Sequence, residues 1–126
     1  MSDWEVEFSD EFGEWWDALD EGEQVDVSAV VELLETEDPF LAFPFSSKIR
    51  GSRYGEIREL RIQHAGDPYR VLYAFDPRRT AFLLLGGNKG GEDKSWYRTN
   101  VPVAEKIYKA HLETLRKEAN DHGPEI

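Results

Sequence analysis

Apolar and polar positions alternate over residues 4–8, where Trp4, Val6 and Phe8 are separated by Glu5 and Glu7, which predicts a half-buried strand. The period then lengthens. Ser9 is placed to cap a helix whose first turn holds Asp10 and Glu11, and Phe12, Trp15, Trp16 and Leu19 recur along it at helical spacing. Residues 20–23 have the spacing of a capping box for a second helix. Val27, Val30, Val31 and Leu34 form its apolar stripe, and Pro39 stops it. Residues 40–52, with Pro44 among them, read as an irregular connector. Three strand candidates follow at 57–64, 69–75 and 81–86, separated by turn sequences at 65–68 and 76–79 short enough for antiparallel hairpins. The glycine-rich run 86–91 reads as a flexible exit from the last strand. A final helix is expected from about Pro102, a good first helical residue, to about Lys117, with residues 118–126 frayed. The order β-α-α-β-β-β-α predicts one α+β domain over residues 1–126, with a mainly antiparallel sheet flanked by helices.

Alternation also assigns strand faces. Leu60 and Ile62 share one face with Arg58 and His64, while Glu59 and Arg61 lie on the other with Ile57 and Gln63. Tyr69, Val71, Tyr73 and Phe75 oppose Arg70, Leu72 and Ala74 in the same way. An arginine inside an otherwise apolar strand needs a partner, because a buried guanidinium is costly alone. Glu59 across the hairpin can supply one, and the same arginine can also serve a phosphate.

Composition narrows the chemistry. The 126 residues contain no cysteine, which removes disulfides, thiolate metal sites and thiol catalysis together. No apolar run approaches the roughly 20 residues of a membrane span, and the first residues lack a signal-peptide pattern, so a cytoplasmic location is expected. The net charge of −11, taken as a whole, opposes nucleic-acid binding, but its distribution is uneven. Residues 1–47 hold 15 of the 26 acidic residues and none of the 15 lysines and arginines, so that stretch carries −15 and the remainder +4. Two oppositely charged surfaces with two partners would produce this asymmetry, and so would a solvated acidic face.

Arg61, Arg70, Lys89 and Tyr97 can gather where strand ends meet the last loop, with Lys94, Trp96 and Arg98 beside them. Fixed cations stabilise charge that accumulates on phosphate oxygens, a phenol can orient or exchange a proton, and an aromatic ring can stack a base. Residues 86–91 do not match the phosphate loop GxxxxGK[ST]. His64, His111 and His122 have no metal-ligand spacing, and no nucleophile elbow is present. A metal-dependent nuclease would rest only on the abundance of carboxylates.

Arg58-Glu59-Leu60-Arg61, Tyr69-Arg70-Val71-Leu72-Tyr73, Gly86-Gly87-Asn88-Lys89 and Trp96-Tyr97, in that order, resemble the RelE/ParE toxin superfamily, most closely its HigB-like, phage-derived branch. The resemblance covers about residues 4–115 and includes the entry to the last helix at Val101-Pro102-Val103-Ala104. It implies a sheet flanked by helices, a toxin paired with an antitoxin that is often a helix-turn-helix repressor, and cleavage of mRNA at the ribosome. It implies neither metal nor cofactor, because the 2′-hydroxyl attacks the adjacent phosphate. DNA would be met only through the antitoxin, and no membrane is involved. By position, Arg70 matches the phosphate-binding strand arginine, Arg61 a second basic strand residue, Lys89 the basic residue after the last strand, and Tyr97 the late tyrosine. Glu59 stands where RelE has another basic residue and Gly90 where it has an arginine, which leaves the acid and base open. A ParE-like inhibitor of DNA gyrase and a phage-derived domain that retains only antitoxin binding are the alternatives on the same scaffold.

Overall fold

The computed structural model describes residues 5–37, 45–49, 57–90 and 95–121. Strand β1 (Glu5–Phe8) leads into helix α1 (Asp10–Ala18) and helix α2 (Glu21–Glu37). Strands β2 (Ser46–Lys48), β3 (Arg58–His64), β4 (Asp67–Phe75) and β5 (Thr80–Asn88) follow, and helix α3 (Ser95–Asp121) ends the fold. The sheet runs β1-β5-β4-β3-β2, antiparallel except for the parallel β1–β5 pair. It is an α+β fold, as the hydrophobic pattern predicts. Trp4 and the stop at Pro39 lie outside the described residues.

Both N-terminal caps form. The Ser9 hydroxyl accepts from the Phe12 amide at 3.0 Å and donates to the Leu84 carbonyl at 2.7 Å, which fixes α1 against β5. Asp20 and Glu23 exchange side-chain-to-amide bonds of 2.8 Å each, a reciprocal capping box at the start of α2. Helices α1 and α2 cover one sheet face, burying Phe12, Val27 and Leu34 against Leu60, Ile62, Val71, Tyr73 and Leu83. Helix α3 covers the other, with Ala104 and Tyr108 against Leu72, Ala74, Phe82 and Leu84.

Four expectations are corrected. The connector 40–52 contains a strand, β2, paired antiparallel with β3. The first hairpin turn is only Ala65 and Gly66, both at positive φ (51° and 85°), so Asp67 and Pro68 belong to β4. Helix α3 begins at Ser95 rather than near Pro102, and it continues through residues 118–121 to Asp121. A proline inside a helix removes a bond to the carbonyl four residues earlier. Here Pro102 and Arg98 are both exposed, so the orphaned carbonyl lies on the solvent side.

The fourth correction concerns the glycines. Gly86 and Gly87 are not a strand exit but part of β5. A Cβ on Gly86 would lie 2.2 Å from the Trp15 ring, and one on Gly87 would lie 2.8 Å from Nε1 of Trp96. Two tryptophans, one from a helix on each face, therefore press on adjacent strand positions. A bulge sets their phase: Leu72 pairs with Leu85 but Tyr73 with Leu83, which leaves Leu84 as an extra residue. Leu84 and Leu85 both pack towards α3, so Gly87, opposite Arg70, falls on the face beneath Trp96.

Candidate active site

On the α3 face, β3 and β4 place Arg61 directly opposite Arg70, and β5 places Gly87 beside Arg70. One row away Glu59 pairs with Ser47 of β2. The first turn of α3 lays Trp96 and Tyr97 over this patch, and Gly87 permits the close approach.

Glu59 is the hub. Its Oε1 accepts from the Tyr97 hydroxyl at 2.6 Å and lies 3.3 Å from Nε of Arg70. Its Oε2 accepts from the Ser47 hydroxyl at 2.7 Å and from Arg61 at 3.1 Å. Arg70 also donates to the Tyr97 oxygen (3.2 Å) and to the Tyr69 carbonyl (2.9 Å). The Glu59 and Arg70 side chains are 7% and 6% exposed, whereas Arg61 is 32% exposed and opens the cluster to solvent. The Lys89 ammonium stands 5.9 Å from the centroid of the Tyr97 ring, and its backbone amide donates to the Pro68 carbonyl.

Burial, and then the bond to Glu59, push the Tyr97 phenol above its ordinary value of 10.0, against a smaller opposing effect of Arg70. Tyr97 is therefore a protonated donor at neutral pH, suited to orienting a group and not to acting as a base. One carboxylate enclosed by cationic and hydroxyl donors is a poor set of ligands for a divalent cation and a good frame for an anion.

The residues expected from the sequence divide into three groups. Arg61, Arg70, Lys89 and Tyr97 come together. Trp96 adjoins them edge-on to Tyr97 (5.4 Å), yet it is half-buried and packs on the α3-side core through Gly87. Arg98 is exposed on α3, and Lys94 lies outside the described residues. Sequence reasoning left out two members. Glu59 was read as a partner for Arg70 and as a departure from the RelE pattern, and its alternation with Arg61 was the available signal. Ser47 carries no local signal, because β2 acquires its register only by pairing with β3.

The fold resembles that of the RelE toxins. A free-state mutant of E. coli RelE matches at a TM-score of 0.54 and 16% identity, over 69% of this chain and 83% of that one. RelE from the Pyrococcus horikoshii RelE–RelB complex matches at 0.53 and 20% identity, over 73% of this chain and all of that one. Residues 14–109 match the family described as phage derived protein Gp49-like. The protein named as toxin HigB3 of Mycobacterium tuberculosis is 42% identical over 109 residues, covering 86% of this chain and 89% of that protein. The one named as toxin HigB2 of the same organism is 38% identical over 99 residues, covering 78% of this chain and about half (49%) of that protein. The chain belongs to the phage derived Gp49-like family and to the HigB-like toxins of toxin–antitoxin systems, and its fold is of the RelE type.

Proposed function

We propose that this toxin cleaves messenger RNA on the ribosome by attack of the 2′-hydroxyl on the adjacent phosphate, with no metal or cofactor. The observation that carries this reading is the direct pairing of Arg61 with Arg70 beside one buried carboxylate. Like charges opposite one another in a sheet are destabilising, and apolar residues stabilise a buried position at least as well as an ion pair. Two arginines meet at that carboxylate and Lys89 stands beside the Tyr97 ring next to them, a cationic frame that suits a phosphate whose charge grows in the transition state.

In this reading Arg70 and Arg61 bind the scissile phosphate oxygens and Lys89 adds to their field. Tyr97 orients the 2′-hydroxyl or the base, while Lys94, Trp96 and Arg98 contact the flanking RNA. Glu59 takes the 2′-hydroxyl proton as the 2′-oxygen bonds to phosphorus. The bond to the 5′-oxygen breaks, and that oxygen takes a proton from solvent. The products are a 2′,3′-cyclic phosphate and a 5′-hydroxyl.

The RelE of Pyrococcus horikoshii was solved in complex with RelB. An antitoxin, of helix-turn-helix type by the family resemblance, is accordingly the second partner, and it brings the toxin to DNA only indirectly. The proposed activity needs translating ribosomes and so a cytoplasmic location; separately, no helix among the described residues is long and apolar enough to cross a membrane. Inducible expression with mapping of mRNA 5′ ends tests the reading. New 5′-hydroxyl ends within translated regions, absent with Arg70→Ala, are expected. No new ends together with blocked gyrase supercoiling would instead establish the ParE-like activity. Neither effect, with antitoxin binding intact, would leave a binding domain.

A further inference from the structure

The sheet face opposite the Arg70 cluster carries a second feature. Val6, Phe12, Trp16 and Val31 line a groove of ≈ 350 Å³ between β1, α1 and α2. Phe8 stands at its edge, 59% exposed although it is a large aromatic residue at the end of an edge strand. A second hollow of ≈ 480 Å³ continues from Trp16, Ser28 and Glu32 to Val25, itself 61% exposed. The two follow α2 from Glu21 to Glu35, about 20 Å at 1.5 Å per residue, the length of a helix of three to four turns.

The rim is acidic: Glu21, Glu32 and Glu35 border the trough. Among the described residues Glu32 and Glu35 make no ion pair, and α2 has no basic residue in its last turn. Negative charge at the negative end of a helix dipole is unfavourable, and an incoming cation would relieve it. We infer that this trough is a docking site for an amphipathic helix of a protein partner, with apolar side chains over Phe8, Trp16 and Val25 and lysines or arginines against Glu32 and Glu35. That the partner is the antitoxin rests on the toxin assignment; the chemistry of the trough does not. A helix seated there leaves the Arg70 cluster, on the other face, uncovered.

The test uses the full chain and three labelled peptides of about 18 residues. The first has leucines at i, i+3, i+4 and i+7 with lysines elsewhere, the second replaces lysine by glutamate, and the third scrambles the first. Fluorescence anisotropy should show binding of the first alone. Glu32→Gln with Glu35→Gln should weaken it roughly five- to tenfold and flatten its salt dependence. Phe8→Ala should weaken it about tenfold. Glu11→Gln with Glu14→Gln has the same net charge on the exposed side of α1 and should leave affinity unchanged. Equal binding of the lysine and scrambled peptides, or equal loss in the two glutamate double variants, would overturn the proposal. So would absence of binding. The assay contains neither RNA nor ribosomes, so its outcome is independent of whether the chain cleaves mRNA.

Discussion

Arg70 is held in place by what surrounds it. Its guanidinium shares Glu59 with Arg61, and Tyr97 closes the group from above. Removing one partner of a buried ion pair leaves an uncompensated charge, so Glu59→Ala should lower the unfolding free energy by about 3–5 kcal/mol. A change near zero in denaturant unfolding would mean that the pairing does not operate in solution. Tyr97 offers a separate readout. Its phenol is raised first by burial and then by Glu59, so Glu59→Gln should bring its titration down. An unchanged ultraviolet titration of Tyr97 in that variant would contradict the assigned bond. Apart from the family resemblance, local spacing assigns neither Glu59 nor Arg70 a role. What was legible was the anomaly of charged residues in apolar strands, which alternation then placed on one face.

At the scale of elements, β3, β4 and β5 were legible because each is a short alternating or apolar run bounded by turn sequences. Strand β2 was not. Its three residues are polar because Ser46 bonds to Tyr73 (2.7 Å) and Ser47 to Glu59, partners brought together only by the fold. The start of α3 was hidden similarly, since Trp96 is dictated by Gly87 across the sheet and not by helical periodicity.

Helix α2 is tied to the β3–β4 hairpin by His64 to Asp26 (2.7 Å) and by Tyr69 to Glu23 (2.5 Å). The hydrogen bond that His64 donates to the Asp26 carboxylate raises the His64 pKa above 6.5, with burial opposing it. A histidine with a raised folded-state pKa stabilises fully below its unfolded value, and that contribution disappears as pH rises through the folded value. The unfolding midpoints of wild type and Asp26→Asn should therefore differ most below pH 6.5 and converge above the raised value. A difference that stays constant with pH would assign the contact to packing.

Across the whole molecule, the charge partition seen along the chain becomes a partition in space. Helices α1 and α2, which carry acidic residues and no basic ones, cover one sheet face. The cationic cluster opens on the other, under α3. The net charge of −11 is thus unevenly divided between the two faces. Sequence order left this separation as one of two readings, beside a solvated acidic face, and did not show that the bulge at Leu84 would set the two covered faces in register. The RNA-cleaving reading depends on the cationic face alone. Its most direct measurement is the single-turnover rate of mRNA cleavage on ribosomes at constant Mg²⁺, for wild type, Arg70→Ala and Tyr97→Phe, each first shown to be folded and antitoxin-binding. Loss of one electrostatic contact to a developing charge should slow the step by roughly 10²–10³-fold in each variant. Equal rates for all three proteins would contradict the assignment of this cluster as the active site.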